Sequence, residues 1–235
     1  MIHGTRVFVV VPAYREAARL ASVLATIPPA VDMVIVVDDA SDDGTLELAR
    51  SSADPRVVAL RHARNRGVGA AIATGYRRAL EVPGGPRDAF VVMAGDGQMD
   101  PADLPALILP IARGEADYVK GDRFAHADAA AMPWARRVGG RAMTALTRAA
   151  LALPIHDSQC GYTALARATC ERLDLDSLWP RFGYPNDLLA MLARAHARIA
   201  EVPVRPVYHG TNKLRARHVP VIAAVVLRAW LRTRT

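Results

Sequence analysis

Carboxylates stand directly behind two apolar, β-branched runs of the chain. Asp39 follows Met33–Val37 after one further aspartate, and Asp96 lies three residues after Ala89–Met93. In open α/β sheets ligands bind at the carboxyl ends of the strands, whereas a residue that only caps the next helix usually comes later. Asp39 is therefore a candidate to hold a ribose hydroxyl, and Asp96 a candidate to hold an oxygen-preferring divalent cation.

Three nearby aspartates have a simpler interpretation. Aspartate side chains accept hydrogen bonds from the free amides of turns and helix N-termini. We therefore predict turn or N-cap roles for Asp42, Asp43 and Asp100.

A glycine turn at Gly67–Gly69 opens a helix-like segment. It does not complete a dinucleotide-binding fingerprint, because Ile72 occupies the last small position and the first strand ends in Pro12-Ala13-Tyr14 rather than in glycines. The basic Arg66 beside the turn leaves two interpretations open: an anion site built from helix-terminal amides, and a purely structural turn.

Strand-like and helix-like segments alternate through the first half of the chain, and this order predicts parallel βαβ units. The predicted strands are Arg6–Val11, Met33–Val37, Arg56–Arg61, Ala89–Met93, Tyr118–Gly121 and Arg198–Val204. The predicted helices are Glu16–Ile27, Gly44–Ser51, Gly67–Leu80, Pro101–Arg113, Met132–Leu151 with an interruption at Gly139-Gly140, and Asp187–His196. The fold class is therefore α/β, a doubly wound, mostly parallel sheet with helices on both faces.

Composition narrows the class of protein. The 235 residues are 51% hydrophobic, enough for one domain with a sizeable core. Two cysteines and an N-terminus without a signal-peptide layout predict a reduced, cytoplasmic chain. The net charge of +7 suits nucleic acid, anionic lipid or phosphorylated substrates. Nucleic acid is the least favoured of these, since aromatics are only 6% and no familiar nucleic-acid module is visible.

Eight motifs occur in order along nearly the whole chain. They are PAYRE (12–16), VVDDASDDGT (36–45), NRGVGAA (65–71), MAGDGQMDP (93–101), GDRF (121–124), DSQCGYTAL (157–165), YPNDLL (184–189) and EVPVRPVYHGTNKLR (201–215). Together they resemble glycosyltransferase family 2, and more closely its polyprenyl-phosphate (dolichyl-phosphate) sugar transferase branch. The resemblance implies a GT-A domain over residues 1–212, followed by a basic and apolar C-terminal helix over 213–235. It also implies an inverting hexosyltransferase that uses a nucleoside-diphosphate sugar, with UDP and GDP both open.

The resemblance assigns a donor site. It implies that the base and ribose pocket is lined by Pro12, Tyr14, Glu16 and Asp39, with Arg66 and Gly67 beside it. Asp96 and Gln98 would hold Mg²⁺ or Mn²⁺ against the diphosphate, where the cation acts as a Lewis acid on the leaving group. The chain departs from the family at Ala94, where another aspartate is usual.

The resemblance also assigns an acceptor side. Arg123 matches a position that contacts phosphate, and Lys213 matches one in a mobile basic loop near the acceptor. A second basic position of that loop falls near the apolar Val207. Asp157 either positions the acceptor or braces its own loop. Asp187 is a candidate general base, and helix capping is its alternative role.

Three hypotheses about function follow. An anionic polyprenyl phosphate acceptor needs no general base, whereas a glycan or other hydroxyl acceptor would need one, with Asp187 as the candidate. The third hypothesis is a non-catalytic nucleotide-sugar-binding protein, and Ala94 is its support.

The C-terminal stretch Val219–Leu227 is apolar and has arginines on both sides. It is shorter than the roughly 20 residues of a bilayer span. Two interpretations stay open: an in-plane helix at the cytoplasmic face of the inner membrane, and a helix packed on the core or at a dimer interface.

Overall fold

The computed structural model describes residues 1–208 and 219–232. The strands are β1 (Val7–Ala13), β2 (Met33–Asp38), β3 (Val57–Arg61), β4 (Ala89–Val92), β5 (Tyr118–Asp122), β6 (Thr163–Ala166) and β7 (Ile199–Pro203). The α-helices are α1 (Ala17–Thr26), α2 (Thr45–Arg50), α3 (Val68–Leu80), α4 (Leu104–Ala112), α5 (Trp134–Leu151), α6 (Arg167–Cys170), α7 (Tyr184–Arg194) and α8 (Val219–Arg232). Short 3-10 helices cover Pro101–Asp103 and Ala127–Ala131.

The strands form one sheet in the order β3-β2-β1-β4-β6-β5-β7. Parallel pairs join β1 to β2 and β4, β2 to β3, and β5 to β7. Only β6 runs against its neighbours among the described strands, because it pairs antiparallel with both β4 and β5. The predicted α/β class with a mostly parallel sheet is confirmed.

Helices cover both faces of the sheet, and alternate residues of β1 show how. Val9 and Val11 pack in the core layer that contains α1 and α4. Val10 packs in the opposite layer, with α3 and α7. On that side a Cβ atom at Gly75 of α3 would lie 2.2 Å from Val10 Cγ1, so this glycine permits the close approach of helix and strand. Both faces of β1 are thereby buried, as is typical of a central parallel strand.

One prediction about the elements was wrong, and one strand was missed. The interruption at Gly139-Gly140 does not occur, because α5 runs through both residues. Gly139 faces open space, and a Cβ at Gly140 would lie 3.0 Å from the Phe124 ring. A glycine lowers helix propensity by only about 1 kcal/mol, which packing overrides. Strand β6 was not predicted, since its four residues are too short to show an alternating pattern.

Two helix boundaries also differ from the predictions. The helix predicted over Pro101–Arg113 begins as a 3-10 turn and becomes α-helical only at Leu104. The helix predicted from Asp187 begins at Tyr184, directly after Gly183 in the left-handed conformation (φ 101°). Asp187 is therefore one turn inside α7 rather than at its N-cap.

Helix α8 packs against α5 and α7. Its buried side chains are Ile222, Val225, Val226 and Ala229. Val221, Leu227 and Leu231 are exposed on the same helix. Among the helices of the described residues, none is long and apolar enough to cross a bilayer.

Candidate functional site

The carboxyl ends of β1, β2 and β4 meet at one edge of the sheet. Ala13 is the register partner of Asp38. The Asp39 amide donates to the Ala13 carbonyl over 2.9 Å, and the Gly95 amide donates to the Pro12 carbonyl over 3.2 Å. The structure therefore brings together the three loops that the sequence singled out.

The loop after β1 carries Tyr14 and Glu16 to this edge. A Cβ at Gly95 would lie 3.6 Å from Glu16 Cγ, so the loop that bears Asp96 packs directly on the buried Glu16. Tyr14 is 39% exposed, and the Arg15 guanidinium lies 5.4 Å from its ring centroid. An exposed aromatic ring can stack against a nucleobase.

The loop after β2 is tied to the loop after β1. Arg15, in the left-handed region at φ 54°, forms a bidentate ion pair with Asp42 at 2.8 and 2.6 Å. Asp43 accepts from the amides of Ala17 and Thr45, and Asp100 accepts from the amide of Ala102 at the 3-10 turn. Asp43 and Asp100 are thus turn and cap residues as predicted, whereas Asp42 pairs with Arg15.

Asp39 is buried, and both of its carboxylate oxygens are engaged within the protein. Oδ1 accepts from the Arg66 amide at 2.8 Å and lies 2.7 Å from His62 Nδ1, while Oδ2 accepts from the Gly67 amide at 2.7 Å. His62 Nε2 in turn lies 2.9 Å from Thr74 Oγ1. Asp39 therefore braces the turn before α3, a role that the sequence did not indicate. Its contact with base or ribose stays a prediction.

The glycine turn at Gly67 faces another loop of the protein. A Cβ at Gly67 would lie 2.5 Å from the Pro180 carbonyl oxygen, and one at Gly69 would lie 2.2 Å from that of Trp179. The Ala70 amide donates to Pro180 over 3.1 Å. These contacts favour the structural interpretation of the turn, because its backbone serves to seat α3 against the 179–181 loop.

Asp96 and Gln98, the predicted metal ligands, are both half-buried beyond β4. The backbone N–H of Gln98 donates to Asp96 Oδ1 over 3.1 Å. Ala94 offers no side-chain oxygen, and its amide points at Met99 Sδ, 3.2 Å away. A carboxylate and an amide oxygen suit a hard divalent cation that takes its remaining ligands from a diphosphate and water.

Arg123 and Asp157 meet on the other side of the site, at the end of β5. The Arg123 Nε and Nη2 atoms lie 2.7 and 2.9 Å from the two Asp157 oxygens. Burial by itself would raise the pKa of Asp157, but the charge and hydrogen bonds of Arg123 outweigh it and hold that pKa below the ordinary aspartate value. A guanidinium has five N–H donors, so those not directed at Asp157 can meet a phosphate.

Two residues of this region were missed by sequence reasoning. Lys120 is completely buried on β5, where its Nζ donates to the Cys160 carbonyl and burial lowers its pKa. Glu201 accepts from the amides of His156 and Asp157 at 2.6 and 3.0 Å. Both residues hold the 156–160 loop in place. The signal that could have found Lys120 is a lysine inside an apolar strand.

Asp187 is completely buried inside α7. Its Oδ2 accepts from the Trp179 amide at 2.7 Å, and Arg228 of α8 places Nε 3.9 Å from Oδ1. The neighbouring Asn186 accepts from Thr147 Oγ1 at 2.8 Å. Asp187 therefore links α7 to the 179–181 loop and to α8. Lys213 lies outside the described residues.

Known proteins resemble this chain in sequence. The model of the family described as "Glycosyl transferase family 2" matches residues 8–173. The undecaprenyl-phosphate mannosyltransferase of Micrococcus luteus is 34% identical over 205 residues, which are 85% of this chain and 82% of the relative. The UDP-N-acetylglucosamine–dolichyl-phosphate N-acetylglucosaminyltransferase of Methanococcus voltae is 26% identical over 231 residues, 92% of this chain and 91% of the relative.

Solved structures show the same architecture. Glucosyl-3-phosphoglycerate synthase from Mycobacterium tuberculosis, in complex with Mn²⁺, UDP and glucosyl-3-phosphoglycerate, has a TM-score of 0.72 at 22% identity and covers 98% of this chain and 81% of its own. The same enzyme has also been solved with Mg²⁺ and UDP. This likeness shows the GT-A fold.

Proposed function

The chain belongs to glycosyltransferase family 2, and from that premise we propose that it transfers a hexosyl group from a UDP- or GDP-sugar to a polyprenyl phosphate with inversion at the anomeric carbon. The observation that carries the proposal is the similarity, over 85% or more of the chain, to relatives named for polyprenyl or dolichyl phosphate acceptors. Two groups of residues support it: a donor half, formed by the loops after β1, β2 and β4, and an acceptor half, formed by Arg123 and Asp157.

The donor half consists of the loops after β1, β2 and β4. Tyr14 would stack on the base, the buried Glu16 and Asp39 would contact base or ribose, and Asp96 with Gln98 would hold Mg²⁺ or Mn²⁺. The cation, when bound, neutralises negative charge on the nucleoside diphosphate as it leaves. Because Ala94 adds no ligand, we expect the diphosphate to contribute strongly to metal binding.

The reaction needs no proton transfer with this acceptor. A phosphate oxygen of the acceptor attacks the anomeric carbon, the bond from that carbon to the diphosphate oxygen breaks, and the electron pair leaves with the nucleoside diphosphate. Arg123, held by its two hydrogen bonds to Asp157, would orient the incoming phosphate. This fits the state of Asp187, which is completely buried, accepts from the Trp179 amide and lies 3.9 Å from Arg228.

Exposed apolar side chains support an acceptor at a membrane surface. Trp134 and Val138, 74% and 58% exposed, lie one turn apart on α5 and so share a face. Val221, Leu227 and Leu231 are exposed on α8. Apolar side chains beside arginines suit peripheral contact with the anionic cytoplasmic face of the inner membrane.

Two measurements test the proposal. The first is calorimetric titration of UDP and GDP into the wild type and Asp96→Ala, with Mn²⁺ and then with EDTA. We expect metal-dependent binding of one nucleotide that the variant loses. Absence of binding for both would favour a non-catalytic protein and contradict the proposal.

The second is sugar transfer from the matching nucleotide sugar to a polyprenyl phosphate in vesicles, with soluble glycans as alternative acceptors. We expect product only with the prenyl phosphate, and Asp187→Asn should retain turnover. Transfer to a hydroxyl acceptor alone, abolished in Asp187→Asn, would replace the proposal with a base-catalysed reaction.

A further inference from the structure

Three potential metal ligands converge beside the acceptor half of the site, on separate parts of the chain. Asp122 ends β5, His156 precedes β6, and Glu201 lies in the middle of β7. One ligand atom from each lies within 4.8 Å of the other two. None of the three belongs to the donor-side metal position at Asp96 and Gln98.

Backbone amides hold both carboxylates in place. Asp122 Oδ1 accepts from Phe124 and Ala125 at 2.8 and 3.2 Å. Glu201 Oε1 accepts from the Asp157 amide, and Oε2 accepts from the His156 amide at 2.6 Å. The His156 ring places Nδ1 2.8 Å from the same Oε2. The ligand atoms are therefore preorganised by the fold, as a metal site requires.

Among residues 1–208 and 219–232, the two carboxylates have no lysine or arginine as an ion-pair partner. Both are nearly buried, with 6% of Asp122 and 10% of the Glu201 side chain exposed. Within residues 1–208 and 219–232, no lysine or arginine nitrogen lies within 4.0 Å of either carboxylate, and His156 is the one basic group paired with Glu201. Buried carboxylates close together are costly unless a cation lies between them.

The cluster opens onto space that could hold further ligands. A cavity of about 440 Å³ is bounded by Asp122, His156 and Glu201, and its other walls are mostly apolar. A second cavity of about 560 Å³ shares Asp122 and His156 and extends to Arg141 and Arg148 of α5. Water can therefore reach the point between the three side chains and complete a coordination sphere.

We propose that Asp122, His156 and Glu201 form a second divalent-cation site, which takes Zn²⁺ or a similar transition metal through one imidazole nitrogen and two carboxylate oxygens, with water in the open position. The imidazole selects this class of cation, because Mg²⁺ and Ca²⁺ prefer all-oxygen ligands. When the cation binds, His156 Nδ1 and Glu201 Oε2 coordinate it instead of sharing a hydrogen bond with each other. Since it bridges β5, β7 and the loop that carries Asp157, it would fix the acceptor half independently of the donor cation.

The test is titration of Zn²⁺, and separately of Co²⁺, into the full chain without an affinity tag and without nucleotide. Calorimetry gives the affinity and stoichiometry, and Co²⁺ absorption reports a nitrogen-and-oxygen coordination sphere. We expect one site per chain, weakened at least about tenfold in His156→Ala. His156 is exposed, so this variant should fold. Asp122→Asn should weaken binding similarly, with thermal unfolding as its folding control.

Two control variants separate this site from other ligands. Asp96→Ala should leave nucleotide-free Zn²⁺ affinity unchanged, because Asp96 belongs to the donor side. His3→Asn removes another exposed histidine, at a left-handed position that asparagine tolerates, and should also have no effect. Equal Zn²⁺ affinity in the wild type and His156→Ala would overturn the proposal. A loss of Zn²⁺ binding in Asp96→Ala would also overturn it. So would the absence of saturable Zn²⁺ binding at concentrations below about 1 mM, because a dissociation constant of that size corresponds to a binding free energy of only roughly 4 kcal/mol.

Discussion

Arg123 and Asp157 form a bidentate ion pair, with Nε–Oδ2 and Nη2–Oδ1 distances of 2.7 and 2.9 Å. The pair joins the end of β5 to the loop before β6, across 34 positions of sequence. Asp157 is completely buried, whereas a quarter of the Arg123 side chain remains exposed. Asp157 thus anchors the pair, while part of the Arg123 guanidinium side chain stays accessible.

Breaking this pair should cost stability. Asp157→Leu leaves the guanidinium of Arg123 largely desolvated without a counter-charge, and we expect a loss of about 2–3 kcal/mol in the free energy of unfolding. Urea denaturation measures this. Asp42→Leu breaks the exposed Arg15 pair of similar geometry and is the matched control, for which little change is expected. Equal effects of the two substitutions would show that burial does not distinguish the pairs.

Two glycines inside helices should respond to alanine with opposite signs. Gly75→Ala in α3 places a methyl group 2.2 Å from Val10 Cγ1 in the core, and overpacking of this kind costs about 1–3 kcal/mol. Gly139→Ala in α5 meets nothing within 4 Å and should stabilise the protein by about 0.5–1 kcal/mol through helix propensity. Thermal unfolding of the two variants measures both effects. Destabilisation by Gly139→Ala would contradict the description of α5 as a continuous helix.

Ala94→Asp should strengthen metal-dependent nucleotide binding. Ala94 is half-buried two residues before Asp96, so a carboxylate there adds an oxygen ligand at the end of β4. Affinity for hard cations rises with the number of charged ligands. We expect several-fold tighter UDP or GDP binding with Mn²⁺ and no gain with EDTA, measured by calorimetry. Unchanged affinity with Mn²⁺ would mean that this position does not face the cation.

The parts of the fold that the sequence predicted are those with a strong local signal. The apolar run of β1 and the carboxylate at Asp39 both follow from the pattern of a buried parallel strand. Strand β6 has only four residues, and its place between β4 and β5 depends on pairing with distant segments. Local patterns carry no information about such pairings.

The sequence named candidate site residues one by one, but it did not indicate the connections between them. Arg123 and Asp157 were each identified through separate motifs, and nothing in either motif indicates that they pair. Asp39 was predicted to face a ligand, whereas its oxygens also brace Arg66 and Gly67. Hydrogen bonds between residues far apart in sequence are decided by tertiary packing, and only the structure shows them.

Exposed leucines on α8 should govern attachment to vesicles. Leu227 and Leu231 are 57% and 53% exposed and lie one turn apart, while the buried side of α8 is filled by other residues. Replacing both with serine removes apolar surface that would enter the lipid interface without opening the core. We expect binding to anionic vesicles, measured by cosedimentation, to weaken by about tenfold or more.

The comparison variant is Leu146→Ser, which removes one leucine, 43% exposed, from α5. Since α5 also carries the exposed Trp134 and Val138, some loss of attachment is expected, but a smaller one than in the α8 double variant. If loss of any exposed leucine weakened attachment equally, a specific contact through α8 would be contradicted. Because apolar burial and electrostatic attraction add, raising the salt concentration should weaken the wild type and the double variant by a similar factor. Retained nucleotide binding in the double variant would show that the donor half is intact, so that reduced transfer to a vesicle-embedded acceptor reports membrane contact alone.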